Sequence, residues 1–213
     1  MPILADHVLA YLEGLRPERS EVMREMEAVA ERDGIPIVHW ETGRLLATLV
    51  GALDPAAVLE FGTAIGYSTL HMAEQLGRGR IFTLERDTDR IAQARDYFTR
   101  AGVADKIEIV EGDALESIKR LDGPFDFVFI DGSKDEYRTY LELAEPKLTE
   151  RALLVVDNLL MSGEAALPPD AETRWRKESL EAARAFNEEL LNSSRWTGSV
   201  LPVGDGVGLA IRA

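Results

Sequence analysis

The sequence predicts an α/β fold: a doubly wound, mostly parallel seven-stranded sheet with an antiparallel C-terminal hairpin and extra N-terminal helices. Three observations predict it. Five short apolar runs follow Pro55, each too continuously apolar to leave one face in water. Amphipathic segments fall between the runs, as right-handed crossovers require. Near the end, Asp205-Gly206 separates two further apolar runs, a hairpin signal.

The elements follow in order. Ser20 is placed to cap a helix whose apolar residues recur at helical spacing through Ala30, with Gly34 and Pro36 ending it. A second helix is expected from about Thr42 to Leu53, stopped by Asp54-Pro55. The strands are expected over 58–61, 80–84, 107–110, 125–130 and 152–156. Helices are expected near 68–76, 88–101, 114–121 and 136–147, with a last one near 172–191. The hairpin pairs 196–201 with 207–211. We expect one domain over 1–213, with a helical cap (1–54) on a catalytic α/β core (55–213).

Composition narrows the chemistry. The chain has 213 residues and no cysteine, which excludes disulfides, thiolate metal sites and cysteine nucleophiles. The first residues lack the basic start and apolar run of a signal peptide, and no stretch approaches the ~18 consecutive apolar residues of a membrane span. A cytoplasmic protein without membrane association is expected. The formal charge of −14 opposes a phosphate backbone, so a small acceptor ranks above nucleic acid.

Ligands of open α/β sheets bind beyond the carboxyl ends of the strands. The first strand ends in Glu60-Phe61-Gly62-Thr63-Ala64-Ile65-Gly66-Tyr67-Ser68, whose glycines let backbone pass close to a ligand. The spacing is not G-x-G-x-x-G, which disfavours a nicotinamide-dependent oxidoreductase. Glu85 ends the second strand and can accept from ribose hydroxyls. Asp113 follows the third, able either to accept from an adenine amino group or to cap the next helix. The fourth strand ends at Asp131 and the fifth at Asp157-Asn158. As sheet neighbours ~4.8 Å apart, these strands would gather two carboxylates and an amide oxygen. Such hard donors suit Mg²⁺, with Mn²⁺ or Ca²⁺ as substitutes. Lys134, three residues past Asp131, is a candidate general base, or else a surface lysine paired with Asp135 or Glu136.

Together these residues resemble the cation-dependent class I O-methyltransferases, which include catechol and caffeoyl-CoA O-methyltransferases and many small bacterial members. The resemblance is carried by 58–62 through Gly66-Tyr67-Ser68, Glu85, Gly112-Asp113-Ala114, 131–134 with Tyr137, and Asp157-Asn158, and covers roughly 36–160. It implies a Rossmann-like methyltransferase fold and S-adenosylmethionine as cofactor. Glu60, Gly62 and Ser68 would hold the methionine part, with backbone near Val38 closing over it. Glu85 would take the ribose, and Asp113 with Ala114 the adenine. Asp131, Asp157 and Asn158 would bind Mg²⁺, Asp131 also orienting the cofactor, and Lys134 would be the base. The implied acceptor is a small catechol-like or phenolic hydroxyl. Some family members methylate hydroxyuridine in tRNA, for which Arg174, Arg176 and Lys177 are a candidate basic patch. The segment 160–175 is expected to be a lid or substrate wall. His39 and Trp175 are candidate acceptor contacts, against structural roles for both. The surplus N-terminal helices are expected to cap the acceptor site or form a homodimer interface.

Overall fold

The structure, a computed structural model, describes residues 4–213. Seven strands form one sheet in the order β3-β2-β1-β4-β5-β7-β6. They are β1 (Ala57–Phe61), β2 (Arg80–Glu85), β3 (Ile107–Glu111), β4 (Phe125–Ile130), β5 (Leu148–Val156), β6 (Trp196–Leu201) and β7 (Val207–Arg212). The first five run parallel; β7 is antiparallel to β5, and β6 to β7. The order turns back between β1 and β4, so the crevice expected of a doubly wound sheet opens there.

The pleat explains why the runs are continuously apolar. Val58, Phe127, Phe129 and Val155 point into one core, while Leu59, Phe61, Val128, Ile130 and Val156 point into the other. Both faces are covered, so no position can be polar without a partner. The first layer holds α2 (Glu21–Asp33), α3 (Trp40–Leu53), α4 (Tyr67–Gln75) and α5 (Thr88–Arg100); the second holds α6 (Ala114–Ser117), α7 (Tyr137–Ala144) and α8 (Lys177–Asn192).

Helix signals act as expected at several ends. The Ser20 hydroxyl accepts from the Met23 N–H at 3.2 Å, and Gly34 closes α2 at φ 65°. Three differences are findings. An additional helix, α1 (Asp6–Gly14), precedes Ser20 and buries none of its residues fully. The helix expected at 114–121 is four residues long and tightens into a 3-10 turn over Ile118–Arg120. The last helix starts at Lys177 and not near 172, because the Glu164 carboxylate takes the N–H groups of Arg174 (2.8 Å) and Trp175 (3.3 Å).

Candidate active site

A cleft of about 250 Å³ opens at the carboxyl ends of β1 to β4. It brings together Val38, Gly62, Ser68, Glu85, Asp113, Ala114, Asp131 and Lys134 of the residues read from the sequence. Its floor is the turn after β1. Gly62 sits at φ 98°, and a Cβ there would collide with the Asp131 carbonyl oxygen. Gly66 sits at φ 90°, where a Cβ would stand 2.5 Å from the Phe98 ring. Both positions therefore demand glycine, for conformation and for space.

Glu60 does not line the cleft. It is fully buried below it, accepting from Ser68 Oγ at 2.6 Å and Thr69 Oγ1 at 2.5 Å. Burial pushes its carboxyl up to about 7. Glu60 thus fixes the first turn of α4, and Ser68 is the residue that meets the cleft. Glu85 is held by three backbone donors: Oε2 accepts from Ala64 at 2.9 Å, and Oε1 from Arg86 at 2.9 Å and Asp87 at 3.0 Å. Asp113 faces the cleft and also caps α6, accepting from the Leu115 N–H at 3.0 Å. Of the two roles weighed for it, the helix cap is made.

Asp131 and Asp157 flank paired strand ends: Ile130 pairs with Val156, and the Asp157 N–H donates to the Ile130 carbonyl at 3.0 Å. Asp157 is 1% exposed, and its Oδ1 is buried without a hydrogen-bond partner. Burial and then the charge of Asp131 raise the Asp157 carboxyl above its ordinary range. Burial likewise raises Asp131, while Lys134 opposes the shift. Lys134 Nζ lies 3.0 Å from Asp131 Oδ1 and 5.4 Å from the Tyr137 ring centre. The surface pairing with Asp135 or Glu136 is not made; Asp135 pairs with Arg176 at 2.5 Å and Ser179 at 2.8 Å. Asn158 adopts φ 62°, a conformation asparagine tolerates better than most residues, and its amide nitrogen faces Asp205 at 3.5 Å.

Among the described residues, no group of three or more His, Asp or Glu side chains is set to hold a metal. The set read from the sequence has two carboxylates, and its third donor is an amide. An orphaned carboxylate oxygen beside a second carboxylate nonetheless fits a cation, since a buried unpaired charge is costly.

The two acceptor candidates lie elsewhere. His39 and Asp205 wall a second cavity of about 620 Å³. His39 Nε2 is 3.6 Å from Asp205 Oδ1; the contact raises the imidazole and lowers the carboxyl. Trp175 is half-buried against Met161, Leu180 and Ala183 and lines a smaller hollow beside Lys134.

Sequence reasoning missed Asp205, which also accepts from Ser162 Oγ at 2.9 Å, and read it only as a turn former. The signal was topological. β7 runs antiparallel to β5, so the β6–β7 turn must return to the end where Asp157 and Asn158 sit. Tyr140 was also missed, although it lines the cleft and stacks on Phe61 at 4.7 Å.

Comparison with known proteins converges. A family described as O-methyltransferase matches residues 15–213. A catechol O-methyltransferase of Mycobacterium tuberculosis is 41% identical over 128 residues, 59% of this chain and 58% of that protein. The match thus spans less than two thirds of that relative. A caffeoyl-CoA O-methyltransferase of Eucalyptus globulus is 30% identical over 92% of this chain and 83% of its own. The crystal structure of a Streptomyces achromogenes O-methyltransferase involved in tomaymycin synthesis, in complex with SAM, superposes with a TM-score of 0.84 at 28% identity, covering 97% of this chain and 96% of that one.

Proposed function

The chain belongs to the O-methyltransferase family, and from that premise we propose that it transfers the methyl group of S-adenosylmethionine to a hydroxyl of a small catechol-like or phenolic acceptor with the help of Mg²⁺. Family membership sets aside the nicotinamide-dependent oxidoreductase. The SAM complex of the Streptomyces achromogenes relative supports the cofactor. So does the fit of the cleft: glycine backbone at Gly62, a hydroxyl at Ser68, and acids at Glu85 and Asp113 whose outward lone pairs can accept from ribose and adenine.

The observation that carries the cation is the orphaned Asp157 oxygen beside Asp131. Asp131, Asp157 and Asn158 would hold the ion, which when bound supplies a Lewis acid that eases loss of the acceptor's hydroxyl proton. Lys134, as the neutral amine, would take that proton; its nitrogen donates to Asp131 Oδ1 and to the Gly132 carbonyl. The turn after β1 and the walls of the cleft would hold the methyl donor, and such positioning can supply much of the rate.

The small acceptor is supported over tRNA by the state of the candidate basic patch. Arg174 pairs with Glu164 at 2.7 Å, Arg176 with Asp135 at 2.5 Å and Lys177 with Glu181 at 3.8 Å. Neutralised side chains make a poor phosphate footprint on a chain of charge −14. A homodimer remains part of the proposal, with Tyr11 and Leu15 of the α1 region exposed at 67% and 57%. A monomer by light scattering would remove it. No helix among the described residues is long and apolar enough to cross a membrane, and we carry the cytoplasmic location as an expectation.

The test is methyl transfer from labelled S-adenosylmethionine to catechol, with and without chelator, in the wild type and Asp157→Ala. Turnover that needs added Mg²⁺ and is lost in Asp157→Ala supports the proposal. Equal turnover under chelator overturns the cation, and transfer only to hydroxyuridine-containing tRNA overturns the acceptor.

A further inference from the structure

We propose that Glu27 is a positioning residue for the methyl donor: it grips the Tyr67 hydroxyl and so sets the spacing between the floor and one wall of the cleft. The inference rests on the proposed function in one respect: S-adenosylmethionine occupies that cleft.

The grip is built on one carboxylate. The Tyr67 hydroxyl donates to Glu27 Oε1 at 2.6 Å. Arg16 Nη2 donates to the same oxygen at 2.6 Å, and Arg19 Nη1 donates to Oε2 at 2.8 Å. A carboxylate offers about four lone-pair sites, so all of these donors fit. Bonds to a charged group are roughly twice as strong as neutral ones. The Glu27 side chain is 19% exposed, so salt screens its bonds less than those of a surface pair.

Tyr67 stands between this carboxylate and the cleft. It opens α4, next to Ser68, and lines the cleft floor. Its ring is buried, and its hydroxyl reaches back to α2. Burial, and then the bond to Glu27, raise the phenol above its ordinary range, so the hydroxyl remains a donor. Glu27 itself does not line the cleft and acts through Tyr67.

Helix α2 also leads into the facing wall. It ends at Gly34, and Pro36, Ile37 and Val38 follow directly as lining of the cleft. Glu27 therefore ties the element that carries the wall to the element that begins at the floor. Met23, Met26 and Ala30 keep α2 on the core without it. Loss of the tie should loosen the cleft of a protein that still folds. A second ion pair on the same helix gives the comparison. Glu25 accepts from Arg100 Nη1 at 3.0 Å, which ties α2 to the last residue of α5, outside the cleft.

The test titrates the full chain with S-adenosylmethionine by calorimetry. The proteins are the wild type, Tyr67→Phe, Glu27→Leu, Glu27→Gln, the double variant Tyr67→Phe with Glu27→Leu, and Glu25→Gln. Tyr67→Phe should raise the cofactor Kd roughly fivefold, the fold-change of a typical hydrogen bond. Glu27→Leu should raise it about tenfold, the size of a bond to a charged group. The double variant should go no further, because the hydroxyl acts only through the carboxylate. Glu27→Gln keeps an acceptor oxygen for Tyr67 and should recover most of the affinity. Glu25→Gln should stay within about twofold of the wild type, less than one hydrogen bond is worth. The KM for S-adenosylmethionine should follow Kd with a smaller change in kcat, and amide exchange over residues 35–38 should quicken in Glu27→Leu. Thermal melts establish folding, and Tyr67→Phe, which removes one oxygen atom, carries the test should Glu27→Leu not fold. An unchanged Kd in Tyr67→Phe, a double variant that multiplies the two losses, or a Glu25→Gln that binds as weakly as Glu27→Leu overturns the inference and leaves the proposed function standing. A wild type that binds no S-adenosylmethionine overturns both.

Discussion

Asp157 is an acid placed where water barely reaches it and where the charge of Asp131 opposes its ionisation. Such a residue weakens the fold for the sake of a ligand. Asp157→Asn keeps the shape and removes the charge. Without a cation it should stabilise the protein by about 1–3 kcal/mol, the cost of an unsatisfied buried group. The rise in melting temperature that Mg²⁺ gives the wild type should vanish in the variant, because that rise is binding to the native state alone. Calorimetry with and without Mg²⁺ reads both effects, and a variant less stable than the wild type in chelator would contradict the assignment. Gly62 makes the opposite demand. Its φ of 98° and the Asp131 carbonyl oxygen packed against it leave no room for any side chain. Gly62→Ala should cost about 1–3 kcal/mol of stability through backbone strain alone. It should also displace Asp131, so cofactor affinity should fall with stability; urea unfolding and cofactor titration measure the pair.

At the scale of elements, the segment between β5 and α8 is where side chains replace regular structure. Met161 and Ser162 adopt φ values of 47° and 56°, and the Glu164 carboxylate holds the backbone of Arg174 and Trp175. Arg184 of α8 donates to the carbonyls of Ala165 (2.9 Å) and Leu167 (2.7 Å). The segment is thereby pinned across the mouth of the second cavity, which Ser162 and Arg174 both line. Glu164→Ala should free it. Amide exchange over residues 161–176 should quicken and the acceptor KM should rise, while the KM for S-adenosylmethionine stays close to wild type; unchanged exchange there would refute the pinning role. This segment also marks how far the sequence could be read. The strands were legible because burial on both faces forces continuous apolar runs, which no other element of five residues displays. Their acidic ends were legible because parallel pairing brings them to one edge. The start of α8 was not, since the carboxylate that holds the N–H groups of Arg174 and Trp175 outside the helix lies ten residues before Arg174 and follows no helical period. Helix α1 was not, because Ala5 at its N-cap offers no capping side chain to mark the start. Asp205 was not, because it looks locally like a turn acid, and only the packed chain sets it in the wall of the second cavity.

For the whole molecule, two buried titratable groups under the cleft set opposed dependences of stability on pH. Glu60, within β1, is raised by burial from 4.5 to about 7. Between those values the unfolded chain is ionised at this position and the folded chain is not, so the folded state binds more protons and stability falls as pH rises. His71 of α4 is lowered by burial from 6.5 to about 4, and its Nε2 has no partner. Between pH 4 and 6.5 the unfolded chain binds more protons there, so stability falls as pH drops. Each shift corresponds to an effect on the order of 3 kcal/mol. Over pH 4.5–6.5 the two slopes cancel, and the wild type should owe little of its pH dependence in that window to either group. Single variants separate them. Glu60→Gln, which keeps the oxygen that accepts from Ser68 or Thr69, should leave His71 alone, so stability should climb from pH 4 to 6.5 and then level off. His71→Asn should leave Glu60 alone, so stability should decline from pH 4.5 to 7. Urea unfolding at half-unit steps of pH measures all three curves. Parallel curves for the two variants would mean that neither group titrates inside the fold as its burial requires. Crossing curves would place the buried acid and the buried base in one balance beneath the floor of the cleft, where Glu60 holds Ser68 and His71 packs edge-on against Tyr67 at 4.9 Å.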